Sequence, residues 1–289
     1  MPGLRDIKRR IKSVTNIQQI TKAMQMVAAA KVKKAQDQVL SARPYAEKVN
    51  SIFRHITAHI QGEDIKEPLL EVRPVKSIGL ILFTSDKGLC GSYNTNIIRQ
   101  FINKVYDIKE EGVEVKTWLI GNKAINFFKH HGGVNVLGWR NGLPPIPTYT
   151  DAMEIVSSIT QAYRDKTVDK IILHYTKFVS MLKFDVKQLE LLPIVPEPSG
   201  GKLDSMYVFE PSPNGIINRL LPIYLENQIY HCLLESAASE LASRMTAMST
   251  ATKNAGELLD NITLIYNKAR QTTITKEILE VVSGAEALK

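Results

Sequence analysis

The sequence has little of what marks a membrane-spanning, secreted or metal-binding chain. No run of eighteen apolar residues occurs, and the longest apolar stretches, such as residues 78–83, are strand-sized. No membrane-spanning helix is therefore expected. The N-terminus is basic, but no apolar h-region follows it, so a secretory signal peptide is not expected. Only two cysteines are present, Cys90 and Cys232. They lie far apart and match no ligand spacing, which points to reduced thiols in a cytosolic compartment and to no metal site. Aromatic residues make up only 7% of the chain against 44% hydrophobic. That is ample for a buried core in 289 residues and suggests two domains.

Acidic residues are scarce in one segment. Residues 1–60 hold 12 Lys/Arg and 3 Asp/Glu, whereas residues 61–213 are balanced and residues 214–289 carry a net −1. The first fifth of the chain thus holds the whole excess of +8. Nucleic acid is one partner for clusters such as Lys8-Arg9-Arg10-Lys12 and Lys31-Val32-Lys33-Lys34. The segment's only aromatics are Tyr45 and Phe53, so a base-stacking surface is not evident. A solvated helix face and a basic shaft facing acidic partner surfaces are the other readings. Residues 1–20 also look like a mitochondrial presequence, but their periodicity runs on into residues 21–39, which argues against one.

Three blocks follow from the hydrophobic pattern, with boundaries at 1–60, 61–213 and 214–289. The first is one helix over about residues 3–58. Leu4, Ile7, Ile11, Val14, Ile17, Ile20, Met24 and Val27, then Val32, Ala35 and Val39, step mostly by three and four. Two successive steps of three around Ile17 read as a stammer. Pro44 is expected to kink the helix without ending it, because Val49, Ile52, Phe53 and Ile56 resume an apolar face. The last block is a second helix over about 214–284. Its seam, from Leu234 through Ala238, Leu241, Met245, Met248, Thr252, Ala255, Leu259, Ile262, Tyr266 and Ala269 to Thr273, steps four-three without a break. Ser283-Gly284 reads as its stop.

The middle block reads as α/β. Strands are expected at 77–84, 115–120, 170–176 and 182–192, and helices at 93–110, 122–131 and 151–164, the last capped by Thr150 with Asp151 and Glu154 on its first turn. Alternation of strand and helix implies a mainly parallel, doubly wound sheet. A change of apolar phase between Val186 and Leu189 suggests a bulge or an edge strand. Residues 193–213, rich in proline, read as a loop.

At about 1.5 Å per residue the two end helices span roughly 80 and 105 Å. A domain of the middle block's size has a radius of gyration of only ~14 Å, so both helices must protrude. The simplest arrangement is an antiparallel coiled coil whose longer helix overshoots by roughly 25 Å. The overshoot carries Ile274, Ile278, Leu279, Val281, Val282 and Leu288. Such a tip implies enclosure by another protein.

Candidate chemistry is sparse. Residues 85–92, Ser-Asp-Lys-Gly-Leu-Cys-Gly-Ser, sit between a strand and a helix, where a nucleotide loop would lie. They match neither GxGxxG nor GxxxxGK[ST], so a structural turn or partner contact is the alternative. His130-His131 has no ligand partners at metal spacing, His174 is mid-strand, and Cys90 has no identifiable base.

Residues 6–34, DIKRRIKSVTNIQQITKAMQMVAAAKVKK, resemble the N-terminal signature of the gamma subunit of F-type ATP synthases. SDKGLCGSYN at 85–94 resembles that family's central turn, and residues 240–284 resemble its C-terminal signature. The resemblance covers the whole chain in order. The cysteine-bearing insert of chloroplast members is missing and no presequence is read, so a bacterial-type member is expected. The resemblance implies a long antiparallel coiled coil plus a central Rossmann-like α/β domain, acting as a central rotor stalk. It implies no catalytic residue and no cofactor, since catalysis in that family belongs to the beta subunits. The implied partners are the alpha and beta subunits, the epsilon subunit and the membrane c-ring, at the cytoplasmic face of the cell membrane. By match to the family pattern, Lys8, Arg9, Arg10, Met24, Lys31, Arg244, Arg270, Gln271 and Thr275 face the ring or couple to it. Met24 and Arg244 are expected to neighbour one another on opposed helices. Ile274, Ile278, Leu279, Val281 and Val282 form the tip in an apolar sleeve.

Overall fold

A computed structural model describes residues 3–59, 67–181, 183–194 and 213–287. The elements in chain order are α1 (Leu4–His59), β1 (Ser77–Phe83), α2 (Tyr93–Glu110), β2 (Glu114–Ile120), α3 (Asn122–His131), β3 (Asn135–Arg140), α4 (Tyr149–Arg164), β4 (Lys170–Phe178), β5 (Phe184–Leu192) and α5 (Pro213–Ala287). They form two compact units, one of Met1–Ala28 with Arg244–Lys289, the other of Ala29–Ser243. Most of the expected loop at 193–213, and Leu288, lie outside the described residues.

The larger unit is built on a five-stranded sheet in the order β3-β2-β1-β4-β5. β1 to β4 are parallel and β5 joins β4 antiparallel. This is the mainly parallel, doubly wound sheet that the alternation of elements predicts. One face is covered by α2 and α3, through Ile97, Phe101, Val105, Ile108, Ala124 and Phe128. The other packs against α4, through Ile155 and Ile159, and against the Ile217–Leu233 part of α5, with Phe53 of α1 in the same core. Because helices cover both faces, β1 is buried along its whole length, which is why it reads as a continuous apolar run rather than an alternating one. Above this core Val32, Ala35 and Val39 of α1 meet Leu234, Ala238, Leu241 and Ala242 of α5.

Details of the sheet, of the α4 cap and of the end of α5 differ from the sequence reading. β3 was absent from the expected strands; its Val136, Leu137 and Trp139 are exposed on a sheet edge, and Gly138 breaks the alternation. A Cβ at Gly138 would lie 2.8 Å from the Trp118 ring, so packing against β2 selects glycine there. The cap of α4 is Thr148, not Thr150. Thr148 and Asp151 form a reciprocal capping box, and Glu154 instead pairs with Arg140. β5 is an edge strand as expected, but its irregularity falls where Ile171 and Ile172 face Leu192 and Glu190, leaving Leu191 as the extra residue. Finally α5 runs through Ser283-Gly284 to Ala287.

The smaller unit is a two-helix coil. Ile7 and Val14 bury against Ala255 and Ile262, flanked by Ile11, Leu259, Tyr266 and Ala269. The Thr252 hydroxyl donates to that of Thr21 at 2.8 Å, and a Cβ at Gly256 would meet the Gln18 amide at 3.0 Å. Rising numbers on one helix oppose falling numbers on the other, so the pair is antiparallel. The α5 seam is the one read from the sequence. The α1 seam is not. Ile17, Ile20 and Val27 are exposed, while Gln18, Thr21 and Gln25 lie inward of them and Ala28 is buried. Positions 7, 11, 14, 18, 21, 25, 28, 32, 35 and 39 alternate steps of four and three. The coil therefore has no stammer; Gln18, Thr21 and Gln25, not Ile17, Ile20 and Val27, carry the seam through this stretch.

Candidate functional site: a coil surface and an uncovered tip

The expected contact residues fall into three groups by position. Lys8, Arg9 and Arg10 are exposed on α1. Arg9 holds Asp6 at 2.8 Å across the helix surface, a fully wet pair that contributes little to stability. Lys31 is exposed one turn beyond Ala28, and Met24 and Arg244 are both half-buried. With Thr21 level with Thr252, Met24 stands level with Ser249, and Arg244 lies about one and a half turns further along. Arg270, Gln271 and Thr275 are exposed near the end of α5, where the Thr275 hydroxyl donates to the Gln271 carbonyl at 2.9 Å.

Within the coil unit the helices part company near Ala269, the last α5 residue in the cluster that holds Ile7. From Ile274 onward every described α5 residue with a resolved side chain is exposed. Ile274 is 47% exposed, Ile278 57%, Leu279 58%, Val281 72% and Val282 54%. At 100° per residue Ile274, Ile278, Val281 and Val282 fall on one stripe about 100° wide, with Leu279 beside it. The stripe has the width of a buried helix face, yet nothing among the described residues of the unit covers it.

The loop at 85–92 is built as a turn, not as a phosphate cradle. Asp86 accepts from the Asn122 backbone N–H at 2.8 Å and from that of Gly142 at 2.9 Å. The N-terminus of α3, where an anion would bind, is thus already served by a carboxylate. Ser85 exchanges hydrogen bonds with Asn94, and its hydroxyl donates to the Lys87 carbonyl. The crevice between β1 and β4, where ligands bind in open α/β sheets, is filled by α5. The Ser236 hydroxyl accepts from the Thr176 backbone N–H at 3.3 Å, Ser239 donates to the Thr176 carbonyl at 3.2 Å, and Ser243 donates to the Cys90 carbonyl at 2.6 Å. These serines were missed by the sequence reading; their spacing of three and four on a buried stretch of helix is the signal that could have found them.

The remaining polar candidates have local roles. His130 and His131 are exposed and each contacts the carbonyl four residues back through Nδ1. No cluster of metal-ligating residues occurs among the described residues. Cys90 and Cys232 are buried and form no disulfide, and burial pushes the Cys232 thiol well above its usual range, which makes it a poor nucleophile. No described helix is long and apolar enough to cross a membrane.

The comparisons with known proteins bear on the whole chain. The ATP synthase family model matches residues 3–288. The ATP synthase gamma chain of Heliobacterium modesticaldum is 45% identical and that of Halothermothrix orenii 43%, each over 100% of both chains. Among solved structures, a chain from the central stalk and c-ring of the Tetrahymena thermophila mitochondrial ATP synthase is 26% identical, with a TM-score of 0.63 over 80% of this chain and 99% of that one. A chain of the Euglena gracilis mitochondrial ATP synthase shares the fold at a TM-score of 0.71 and 15% identity, over 99% of this chain and 94% of that one. With matches of this length and identity, the chain belongs to the ATP synthase gamma chain family.

Proposed function

We propose that the chain is the rotating central shaft of an F-type ATP synthase, itself without a catalytic residue. The α1–α5 coil stands inside a ring of alternating alpha and beta subunits, and the sheet unit meets the epsilon subunit and the membrane c-ring. The complex places it as a peripheral protein at the cytoplasmic face of a bacterial cell membrane. Ion flow through the c-ring turns the shaft, and the shaft drives ATP synthesis at the beta subunits or is driven by hydrolysis there.

The observation that carries this reading is the uncovered stripe at the end of α5. Ile274, Ile278, Val281 and Val282 need a cover, and a sleeve of partner subunits supplies one without gripping a fixed angle. The exposed basic residues of α1, Lys8, Arg9, Arg10 and Lys31, are the ring-facing counterpart, with Met24, Arg244, Arg270, Gln271 and Thr275 as coupling positions. An asymmetric shaft touches each beta subunit differently, and that difference in contact energy selects a different conformation in each. Moving one subunit from about 1% to about 99% of a conformation requires ~5.5 kcal/mol of differential contact. Several charged and packing contacts can supply that together, whereas any one cannot. By reciprocity, nucleotide occupancy biases the shaft angle.

The test is assembly. Added to purified alpha and beta subunits, the chain should form a sized complex with restored ATP hydrolysis, while the chain alone hydrolyses nothing. Failure to assemble would sink the reading.

A further inference from the structure

The sheet face opposite α4 and α5 carries a groove of about 420 Å³ between α2 and α3. α2 follows β1 and α3 follows β2, and those strands are parallel, so the two helices return side by side in the same direction. Phe101 and Phe128 meet edge to face beneath them, with centroids 5.6 Å apart, and belong to the core between helices and sheet. The groove has Ile98 and Ile102 of α2 on one side and Phe127 of α3 on the other. The His131 ring stacks on that of Phe127, with centroids 4.2 Å apart, so one face of this wall is covered. On α2 the lining positions recur at helical spacing from Asn94 to Asn103, which extends the groove along roughly 13 Å of helix.

The charge of the lining is one-sided. It holds two cations, Arg99 on α2 and Lys123 on α3, and no carboxylate. Both side chains are exposed, and neither joins an ion pair among the described residues. The other polar groups at this end are already committed. Asn94 donates to the Ser85 hydroxyl at 2.8 Å and to the Cys90 sulfur at 3.1 Å, so it is a wall of the groove and not a donor to it. The first N–H groups of α3 are taken by Asp86, by the Ser85 carbonyl and by the Thr84 hydroxyl. The helix N-terminus therefore offers an anion nothing, and the two side chains alone carry the charge. A cleft with charges of one sign and low-dielectric walls concentrates its field inward. Apolar walls with a few placed polar groups, at this volume, are the make-up of a small-molecule site.

We propose that the α2–α3 groove is a binding site for an apolar monoanion, a carboxylate on an aliphatic chain. Arg99 and Lys123 take the carboxylate, the guanidinium by its matching planar fork, and Ile98, Ile102 and Phe127 cover the chain. Both halves of the ligand are needed. A neutral chain leaves the two cations without a partner, a cationic one is repelled by them, and a short anion finds charge without burial. Every residue of the site belongs to the sheet unit, so the coil surface and the tip take no part in it.

Octanoate is the probe, titrated against the full chain by saturation-transfer NMR and calorimetry at neutral pH and low salt. It should saturate, with a dissociation constant on the order of 1 mM for a ligand so small, and receive saturation along its chain. Octanol, octylammonium and acetate should each bind at least about fivefold more weakly. Arg99→Gln and Lys123→Gln change exposed side chains, so the melting temperature should hold. Each should weaken octanoate about threefold and the pair about tenfold, with octanol binding unchanged. The apolar stripe on α5 is a second surface on which a chain can adsorb, and the paired variant separates the two. Octanoate binding unchanged in the paired variant would place the ligand elsewhere and overturn the assignment. So would octanol binding as tightly as octanoate, acetate binding as tightly as octanoate, or no saturation at all.

Discussion

Glu235 sits on α5 at 3% exposure with one carboxylate oxygen unpartnered, 3.9 Å from His231 and in the field of Arg43, Lys177, Tyr175 and Cys232. Burial raises its pKa from 4.5 to about 7, against the opposing pull of Lys177 and Arg43. The folded carboxyl therefore keeps its proton where the unfolded one has lost it. Its stabilising effect is whole below pH 4.5 and is lost as the pH rises toward 7. His174 works the other way. It is fully buried with neither ring nitrogen bonded, and burial first, Lys104 second, lowers its pKa from 6.5 to about 4. Stability is lost there as the pH falls below 6.5. The two effects oppose one another between pH 4.5 and 6.5. Glu235→Gln removes one of them. At pH 8 the variant should be more stable than the parent by at most ~3 kcal/mol, and its melting temperature should fall on acidification through that window where the parent's changes little. Thermal scans from pH 4 to 8 read both outcomes. A second residue-scale prediction concerns Met24, half-buried on the coil. Met24→Lys places a cation there without removing core volume, so assembly with alpha and beta subunits should survive while coupling weakens. ATP-driven proton pumping in reconstituted vesicles measures this, and unchanged pumping would contradict the role given to Met24.

Among the elements, the α5 seam was legible because every member is apolar or small, and such a residue announces which way it faces. The α1 seam was misread for the opposite reason. Gln18, Thr21 and Gln25 are polar yet turned inward, while Ile17, Ile20 and Val27 are apolar yet exposed. Burial between two helices tolerates polar groups that find each other, as Thr21 and Thr252 do. That pair is testable. Thr21→Val does not strand the Thr252 hydroxyl, whose single proton has the Met248 carbonyl as an alternative acceptor, so Thr21→Val and Thr252→Val should each cost ~1 kcal/mol or less and the double change less than their sum. Gly256→Ala should stabilise by up to ~1 kcal/mol, since the atom its Cβ meets is the free end of the Gln18 side chain, which can turn aside. Urea unfolding of the full chain reads both. The strands were legible where helices bury both faces, as at β1. At β3 they were not, because exposed apolar residues and Gly138, selected by Trp118 beneath it, leave no period to follow. The polar bonds that close the switch-point crevice were equally invisible, since Ser236, Ser239 and Ser243 acquire their partners only in three dimensions.

For the whole molecule, the charge excess of residues 1–60 and the apolar stripe on α5 have one explanation in a shaft with partners along its length. The stripe makes no contact among the described residues of its own unit, so it should matter to assembly and coupling and not to folding. Replacing Ile278, Val281 and Val282 by serine should leave the melting temperature of the isolated chain unchanged within about 2 °C and should lower torque or coupling in the complex with alpha and beta subunits. A loss of stability in the isolated chain would show that the tip packs on the chain itself. The central claim is that the coil turns inside its partners. A bead fixed to an exposed cysteine introduced at Tyr106 on α2, in complexes immobilised through the alpha and beta subunits, measures it directly. The account predicts stepwise rotation in one direction whenever ATP is hydrolysed; hydrolysis with a stationary bead, in complexes shown to contain the chain, would contradict it.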